Sequence, residues 1–297
     1  MSKKVSICIP TYNRKDFLKE TLDSVFAQTY KDFEVVIVDD GSTDGTEHMI
    51  KEEGYDVRYY WVDHMGQTAS RNKLIELAHG EYITFLDSDD LLFPDAVQRL
   101  MNVIVSYGSD VFAYGSYVGI DENGKHVSRK RRKLPSGIIV TELFEFINVH
   151  SCGTMCAKRL FEQIGGFDTS LRRCSFYKLL LELSSKHRFI AVDKPLFKRR
   201  RHSGNVSDRS FSDRMIELKV LEDFYYYGGG KELIPKSRAM KRLSKEGYRA
   251  GRCAMKEGLQ QTACQLLSQS FRQHPNFKSL LWRIIANIKF HLPLCKK

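Results

Sequence analysis

Short apolar runs alternate with amphipathic stretches through the first hundred residues. Val5–Ile9, Phe33–Val38 and Tyr82–Leu86 are nearly continuous apolar runs, the pattern of strands buried on both faces. Val57–Val62 reads as a further strand. Between them, Asp16–Ala27 places Phe17, Leu18, Leu22, Val25 and Phe26 on one helical face. Thr68–Ala78 repeats that pattern and is stopped by Gly80, and Pro94 opens a helix running to about Ser106. Repeated strand–helix units predict an α/β fold with a mostly parallel sheet flanked by helices.

Beyond residue 110 the rhythm loosens. Asp110–Ile120 reads as a strand, Asp121–Gly124 as a hairpin turn and Phe189–Val192 as a strand. Thr141–Ile147, Lys158–Ile164 and Ser175–Lys186 read as helices. Gly204 to Asp213 is a polar break, and from Arg214 onward the pattern is helical, interrupted at Tyr225–Gly230. This predicts a domain over 1–210, divisible at about 110, followed by a helical appendage over 211–297.

Composition narrows the class. A 42% hydrophobic and 11% aromatic content is that of a folded globular chain. No run approaches the roughly 18 apolar residues of a membrane span. The apolar run after Met1–Lys4 is too short for a signal-peptide core, so the expected location is the cytosol. Seven cysteines (8, 152, 156, 174, 253, 264 and 295) are odd in number and lack C-x-x-C spacing, which fits buried thiols better than disulfides. The net charge of +11 is unevenly spread. Residues 1–110 hold 11 Lys and Arg against 20 Asp and Glu, and the remainder 36 against 16. Basic clusters at Arg129–Lys133 and Lys198–Arg201 suit phosphates, nucleic acid or an anionic bilayer, or are solvated faces.

Two predicted strands end in acid clusters, Asp39-Asp40 and Asp87-Ser88-Asp89-Asp90. Ligands of an open parallel sheet bind outside the carboxyl ends of its strands. Converging carboxylates there suit Mg²⁺ or Mn²⁺, which takes its remaining ligands from substrate phosphates. A turn or helix cap is the simpler reading of either cluster alone.

Val5–Arg14, Phe33–Asp44 and Ala78–Asp90, with Ser70-Arg71-Asn72 and Gly165-Gly166-Phe167-Asp168, resemble the inverting family 2 of GT-A-fold glycosyltransferases. Arg199–Ser203 is similar to the basic, histidine-containing stretch that closes that family's domain. The resemblance covers about residues 4–207. It implies a GT-A (Rossmann-like) domain, with 1–110 as nucleotide-binding half and 111–210 as acceptor half. It also implies transfer of a sugar from a nucleotide diphosphate sugar, most often a UDP-sugar, to a hydroxyl of a saccharide or lipid-linked acceptor in cell-surface polysaccharide synthesis. Pro10, Thr11 and Tyr12 would line the nucleoside pocket and Asp40 would bond the base. Asp87 would lie near the ribose, Ser88 would belong to the nucleotide-sugar site, Asp89 would hold the Mn²⁺ or Mg²⁺, and Arg71 would brace the acids or phosphates. Arg200 and His202 would steady the departing diphosphate, in a segment able to close as a lid.

One element of the pattern is missing. The family's expected base is an Asp at the start of the helix after Gly165–Arg173, and Phe176 stands there, with Lys178 at the following acidic position. Phenylalanine accepts no proton, and a lost general base costs on the order of 10²- to 10⁴-fold. Asp168, His150 and, less well placed, Glu182 are substitute candidates. The alternative is a degenerate relative that binds nucleotide sugar with little or no transfer. A nucleic-acid-binding reading rests on the basic half and Tyr225–Tyr227, lacks a recognisable motif, and is opposed by the acidic strand ends. In the appendage, Leu281, Ile284 or Ile285, Ile288 and Leu292 share a helix face, with Trp282, Arg283, Lys289, Phe290, Lys296 and Lys297 around it. That pattern suits either core packing or peripheral contact with an anionic membrane at its inner face.

Overall fold

The computed structural model describes residues 4–127, 134–146, 149–202, 210–275 and 277–291. The cluster Arg129–Lys133, Ile147, residues 203–209, Leu292, Cys295, Lys296 and Lys297 lie outside the described residues, as do the side chains of Ile288, Lys289 and Phe290. In chain order the elements begin β1 (Val5–Thr11), α1 (Lys15–Phe26), β2 (Phe33–Asp39), α2 (Thr46–Glu52), β3 (Arg58–Trp61), α3 (Gln67–Leu77) and β4 (Tyr82–Phe85). They continue β5 (Leu91–Leu92), α4 (Ala96–Tyr107), β6 (Val111–Ile120), β7 (His126–Val127), α5 (Val140–Glu145), β8 (Thr154–Ala157), α6 (Lys158–Gln163), α7 (Ser175–Ser184) and β9 (Arg188–Arg200). The chain closes with α8 (Phe211–Tyr227), α9 (Gly230–Leu233), α10 (Lys236–Lys256), α11 (Gln260–Gln273) and α12 (Phe277–His291).

The chain divides into two compact units, 1–139 with 147–205, and 140–146 with 206–297. In the first, the described strands form one sheet in the order β3-β2-β1-β4-β8-β6-β9-β5, with β7 on β6. The four strands from β3 to β4 are parallel, as the apolar runs predict. The other half is mixed: β8 runs antiparallel to β4 and β6, while β9 is parallel to β6 and antiparallel to β5. Val5, Ile7, Ile9 and Val35–Val38 are buried, so both faces of the parallel half are covered.

The strand expected at Phe189–Val192 runs on for 13 residues, through Pro195 and the basic run to Arg200. Residues 193–196 form a bulge opposite Ser116, where Val192 pairs with Gly115 and Phe197 with Tyr117. Proline is tolerated there because the ladder is interrupted. A Cβ on Gly115 would come within 2.5 Å of Leu196 Cδ1, so the bulge closes over a residue without a side chain. Arg199 and Arg200 therefore lie in a paired strand and not in a lid.

In the second unit, α5 presents buried Val140, Leu143 and Phe144, with Phe144 against Phe224 and Tyr225. Arg238 Nε donates to Glu145 Oε1 at 2.6 Å. Ser210 caps α8: its Oγ accepts from Asp213 N–H while the Asp213 carboxylate accepts from Ser210 N–H. α10 buries a narrow face of Ala239, Gly247, Ala250, Gly251 and Ala254. A Cβ on Gly251 would lie 2.8 Å from Leu267 Cγ of α11, so these helices approach closely. Among the described residues no helix is long and apolar enough to cross a membrane.

Candidate active site

The carboxyl ends of β1, β2 and β4 bring the predicted acids to one edge of the sheet. β1 ends at Thr11 and is followed by Asn13 in the left-handed region (φ 48°), a conformation Asn tolerates. Asn13 N–H donates to Ser42 Oγ and its Oδ1 accepts from Thr43 N–H, both at 2.8 Å, tying the first motif to the turn after β2. Asp39 is buried and anchors that turn, accepting from Ser42 N–H and from the Tyr59 hydroxyl.

Asp40 faces the start of α3. Its carboxylate accepts from Met65 N–H at 2.8 Å and Gly66 N–H at 3.0 Å, and His64 Nδ1 lies 3.0 Å from Oδ2 and 2.9 Å from the Asp40 carbonyl. Both neighbours of Nδ1 are acceptors, so that nitrogen carries the proton. The His64 ring lies 4.6 Å from that of Tyr12, which is half exposed. Pro10 and Thr11 complete this corner, and the buried Thr11 Oγ1 has no protein partner.

The turn after β4 carries the second cluster. Asp87 accepts from Arg71 Nη2 at 2.9 Å and from Ser151 Oγ at 3.3 Å. Burial opposes its ionisation, but the Arg71 guanidinium outweighs this and holds its pKa low. Asp89 Oδ2 accepts from Arg14 Nη1 at 2.5 Å and from His202 Nε2 at 2.9 Å. Asp90 lies deeper, and burial, then the charges of Asp87 and Asp89, push its pKa up to about 8. Ser88 is buried between them.

Asp87, Asp90 and Cys152 approach closely enough to share an ion. Burial, followed by those two carboxylates, pushes the Cys152 thiol up, and its Sγ accepts from Asp87 N–H, so it acts as a hydrogen-bonding group of the turn. A hard cation prefers oxygen donors, whereas imidazole suits borderline transition metals. The carboxylates of this turn, unlike the Cys152 thiol, are donors of the kind Mn²⁺ or Mg²⁺ takes.

Arg200 departs from its expected place. It is 2% exposed. Its Nε donates to the Asp89 carbonyl, Nη1 to the Glu122 carbonyl and Nη2 to Glu20, while its backbone N–H donates to Asp90 Oδ1. The guanidinium also lies over the Phe17 ring. The planar fork thus clamps the 89–90 turn to α1 and to the 121–124 turn, and its donors are directed at protein. Of the predicted pair, His202 meets the acid cluster by its side chain and Arg200 supports it from beneath.

Around the missing base, Phe176 stacks on Phe167 with centroids 6.3 Å apart, and Phe167 in turn lies under Arg71. The position where the resemblance expects a base is therefore occupied by hydrocarbon, linked to Asp87 through Phe167 and Arg71. Asp168 Oδ2 accepts from Lys178 Nζ at 2.7 Å, and Ser170 donates to Oδ1. Lys178, then Ser170, hold its pKa below the usual carboxylate range, which makes it a weak base. Glu182 lines a cavity of about 230 Å³ with Gly165–Asp168, Ser175 and Lys178, and burial raises its pKa. His150 lies edge-on to Tyr117 at 4.7 Å, directly before Ser151 of the Asp87 cluster. Arg14, His64, Ser151 and Glu20 had no individual signal; of these only Arg14 falls inside a recognised motif.

The family profile "Glycosyl transferase family 2" matches residues 6–165, more than half of the chain. The chain belongs to glycosyl transferase family 2. It is 32% identical over 229 residues to an uncharacterized glycosyltransferase of Rickettsia felis, covering 75% of this chain. It is also 30% identical to the glycosyltransferase GlyA of Streptococcus pneumoniae and 31% identical to a chondroitin synthase of Escherichia coli, covering 73% and 68% of this chain. The chain spans 38%, 33% and 30% of those proteins' own lengths. Among solved structures, Staphylococcus aureus TarS (residues 1–349) in complex with UDP-GlcNAc superposes with a TM-score of 0.69 at 16% identity, covering 97% of this chain and 91% of that one. The mannosyltransferase PcManGT of Pyrobaculum calidifontis, in complex with GDP-Man and Mn²⁺, gives 0.54 at 18% identity, covering 99% and 82%. These likenesses establish the expected α/β fold for this family 2 member.

Proposed function

We propose that this family 2 chain transfers a sugar, with inversion, from a UDP-sugar to a hydroxyl of a saccharide or lipid-linked acceptor during surface polysaccharide synthesis. The observation that carries the reading is the turn Asp87–Asp90, where three carboxylates meet Arg14, Arg71 and His202. Charges so balanced are ready to exchange protein partners for a cation and a diphosphate. The relatives support it: a chondroitin synthase among the sequences, and a UDP-GlcNAc complex among the structures.

In this reading Asp40 and Tyr12 receive the base, with Pro10 and the unpartnered Thr11 hydroxyl beside them. Asp87 and Ser88 lie at the ribose. Asp89 would hold the metal, with His202 orienting its carboxylate, and the metal would neutralise the diphosphate. Arg71 and Arg14, beside Asp87 and Asp89, would offer their guanidinium groups to the phosphates. The acceptor oxygen attacks the anomeric carbon as the carbon–oxygen bond to the diphosphate breaks, and the acceptor's proton passes to a base that is not at position 176.

Phe176 on Phe167, with Asp168 held by Lys178, favours a second reading, a donor-binding relative with little turnover. Calorimetric titration of UDP and UDP-sugars with and without Mn²⁺, followed by a donor hydrolysis assay, separates the two. Metal-dependent binding lost in Asp89→Ala, with hydrolysis above background, supports the transferase. Binding without hydrolysis or transfer supports the degenerate form. No binding to any nucleotide overturns both.

A further inference from the structure

The helical unit carries one strongly cationic surface. From Lys236 to Lys297 the sequence has 14 lysines and arginines against two acids, Glu246 and Glu257. Both acids are engaged: Glu246 is buried against Arg242 and Arg249, and Glu257 accepts from Phe211 N–H. On α10, Lys241, Lys245, Tyr248, Arg249, Arg252 and Lys256 fall within a stripe of about 100° at 100° per residue. It lies opposite the Ala and Gly face that packs inward. Lys241, Lys245 and Lys256 are exposed and the other three half-buried.

Aromatic rings are interleaved with these charges. Lys245 Nζ sits 5.5 Å from the exposed Phe146 ring, and Arg252 lies over Tyr248 and, at 4.6 Å, over Trp282 of α12. Burial, then repulsion from Arg249 and Arg242, lowers the Lys245 pKa, consistent with cations crowded beyond their local acids. On α12, Leu281 and Ile284 are 43% and 46% exposed and share a face next to Trp282. A soluble polyanion has no use for exposed aliphatic side chains, whereas a bilayer takes both features: headgroup charge for the lysines and interfacial depth for Trp, Leu and Ile.

We infer that the α10 stripe and the Leu281–Ile284 face of α12 seat this chain on a bilayer containing anionic phospholipid. The inference rests on the proposed acceptor chemistry only in that a lipid-linked acceptor would be met at such a surface. The cations contribute long-range, salt-sensitive attraction, and the apolar residues contribute retention.

The test uses the full chain with vesicles of phosphatidylcholine, with and without phosphatidylglycerol, in a sedimentation assay at several salt concentrations. Binding should require phosphatidylglycerol and weaken with salt. Lys241→Gln, Lys245→Gln and Lys256→Gln together should weaken it on the order of 100-fold, with unchanged circular dichroism. Leu281→Ser with Ile284→Ser should weaken vesicle binding and leave binding of soluble polyphosphate unaltered. Equal binding to neutral vesicles, or no vesicle binding, overturns the inference. Polyphosphate bound as tightly as vesicles, with no effect of the Leu281 and Ile284 changes, also overturns it and assigns the face to a polyanion. UDP titration of the same samples keeps the two readings apart, since donor binding without vesicle binding removes only this one.

Discussion

His202 Nε2 lies 2.9 Å from Asp89 Oδ2, joining residues 113 positions apart at the end of β9 and the turn after β4. Both side chains are almost fully buried, and the imidazole also packs against Phe17 at 4.9 Å. In the proposed reading Asp89 would hold the metal, and loss of the imidazole would remove the group that orients its carboxylate. His202→Ala is expected to weaken Mn²⁺-dependent UDP binding about 10- to 100-fold, within the range seen when a metal site's supporting groups are removed. Titration at fixed UDP and varied Mn²⁺ checks this, and an unchanged Mn²⁺ dependence would leave Asp89 as the metal's protein contact without His202.

Arg200 should behave differently from its neighbour. Its donors are satisfied by two carbonyls and Glu20, so truncation strands the buried Asp89 carbonyl and unties the 89–90 turn from the exposed Glu20 and Glu122. Arg200→Ala is expected to cost about 1–3 kcal/mol in denaturant unfolding, the range for leaving a buried acceptor unpaired. Arg200→Lys should recover only part of that, because a single ammonium cannot span the fork. Arg201, which is exposed, provides the control: Arg201→Ala should leave the midpoint unchanged.

Three of the four parallel strands, β1, β2 and β4, were legible as nearly continuous apolar runs, which burial on both faces demands, while the edge strand β3 was read from its aromatic residues. β8 was hidden by its brevity, four residues running directly into α6. β9 was legible for four residues and then obscured by Pro195 and by the basic run Lys198–Arg200, which periodicity reads as solvent. Its polar residues are held by tertiary partners: Arg200 by the clamp and Arg199 over the Tyr117 ring. The acids of the site were legible as strand-end clusters. Their partners were not, since no spacing relates Arg14 to Asp89 or Ser151 to Asp87. Helix α5 belongs with residues 206–297 through Phe144 and Arg238, a long-range pairing that local pattern cannot carry.

Phe176 gives a gain-of-function prediction. It sits at the start of α7, after Cys174 in the left-handed region (φ 62°), and its ring stacks on Phe167. Phe176→Asp places a carboxylate at the family's base position, near the helix N-terminus, which favours its ionised form. Donor hydrolysis or transfer should rise on the order of 10²-fold or more, with UDP affinity unchanged. An unaltered rate with intact binding would mean that proton removal is already supplied by another group.

Asp168 and Glu182 flank Lys178 and predict opposite pH behaviour. Lys178, then Ser170, lower the Asp168 pKa on folding, so its stabilisation is complete above the unfolded value near 3.9 and is lost as pH falls through the lower folded value. Burial raises the Glu182 pKa, so its ionisation costs stability as pH rises from the unfolded value near 4.3 through the higher folded one. At neutral pH, Asp168→Asn should therefore lower the unfolding midpoint and Glu182→Gln should raise it. Both differences should shrink towards zero in strong acid. Thermal melts of the three proteins across that range check the signs.

The helical unit holds a buried ion network whose removal in part or in whole should differ in sign. Arg242 Nη1 donates to Glu246 Oε1 at 2.5 Å and Nη2 to Glu217 Oε1 at 3.0 Å, and all three side chains are at most 6% exposed. Arg249 and Arg214 reach the same acids from more open positions, at 40% and 23% exposure. Arg242→Met alone leaves two buried carboxylates short of charge and should cost about 3–5 kcal/mol. Changing Glu217 and Glu246 to Leu and Met in the same protein removes those carboxylates and frees Arg249 and Arg214 to turn to solvent. The triple variant should then return to within about 1 kcal/mol of the parent, or exceed it, since apolar packing matches a buried ion triad once no charge is stranded. Denaturant midpoints of the single and triple variants decide it, and a triple variant as unstable as the single one would show that the network's shape, and not its charge balance, holds α8 against α10.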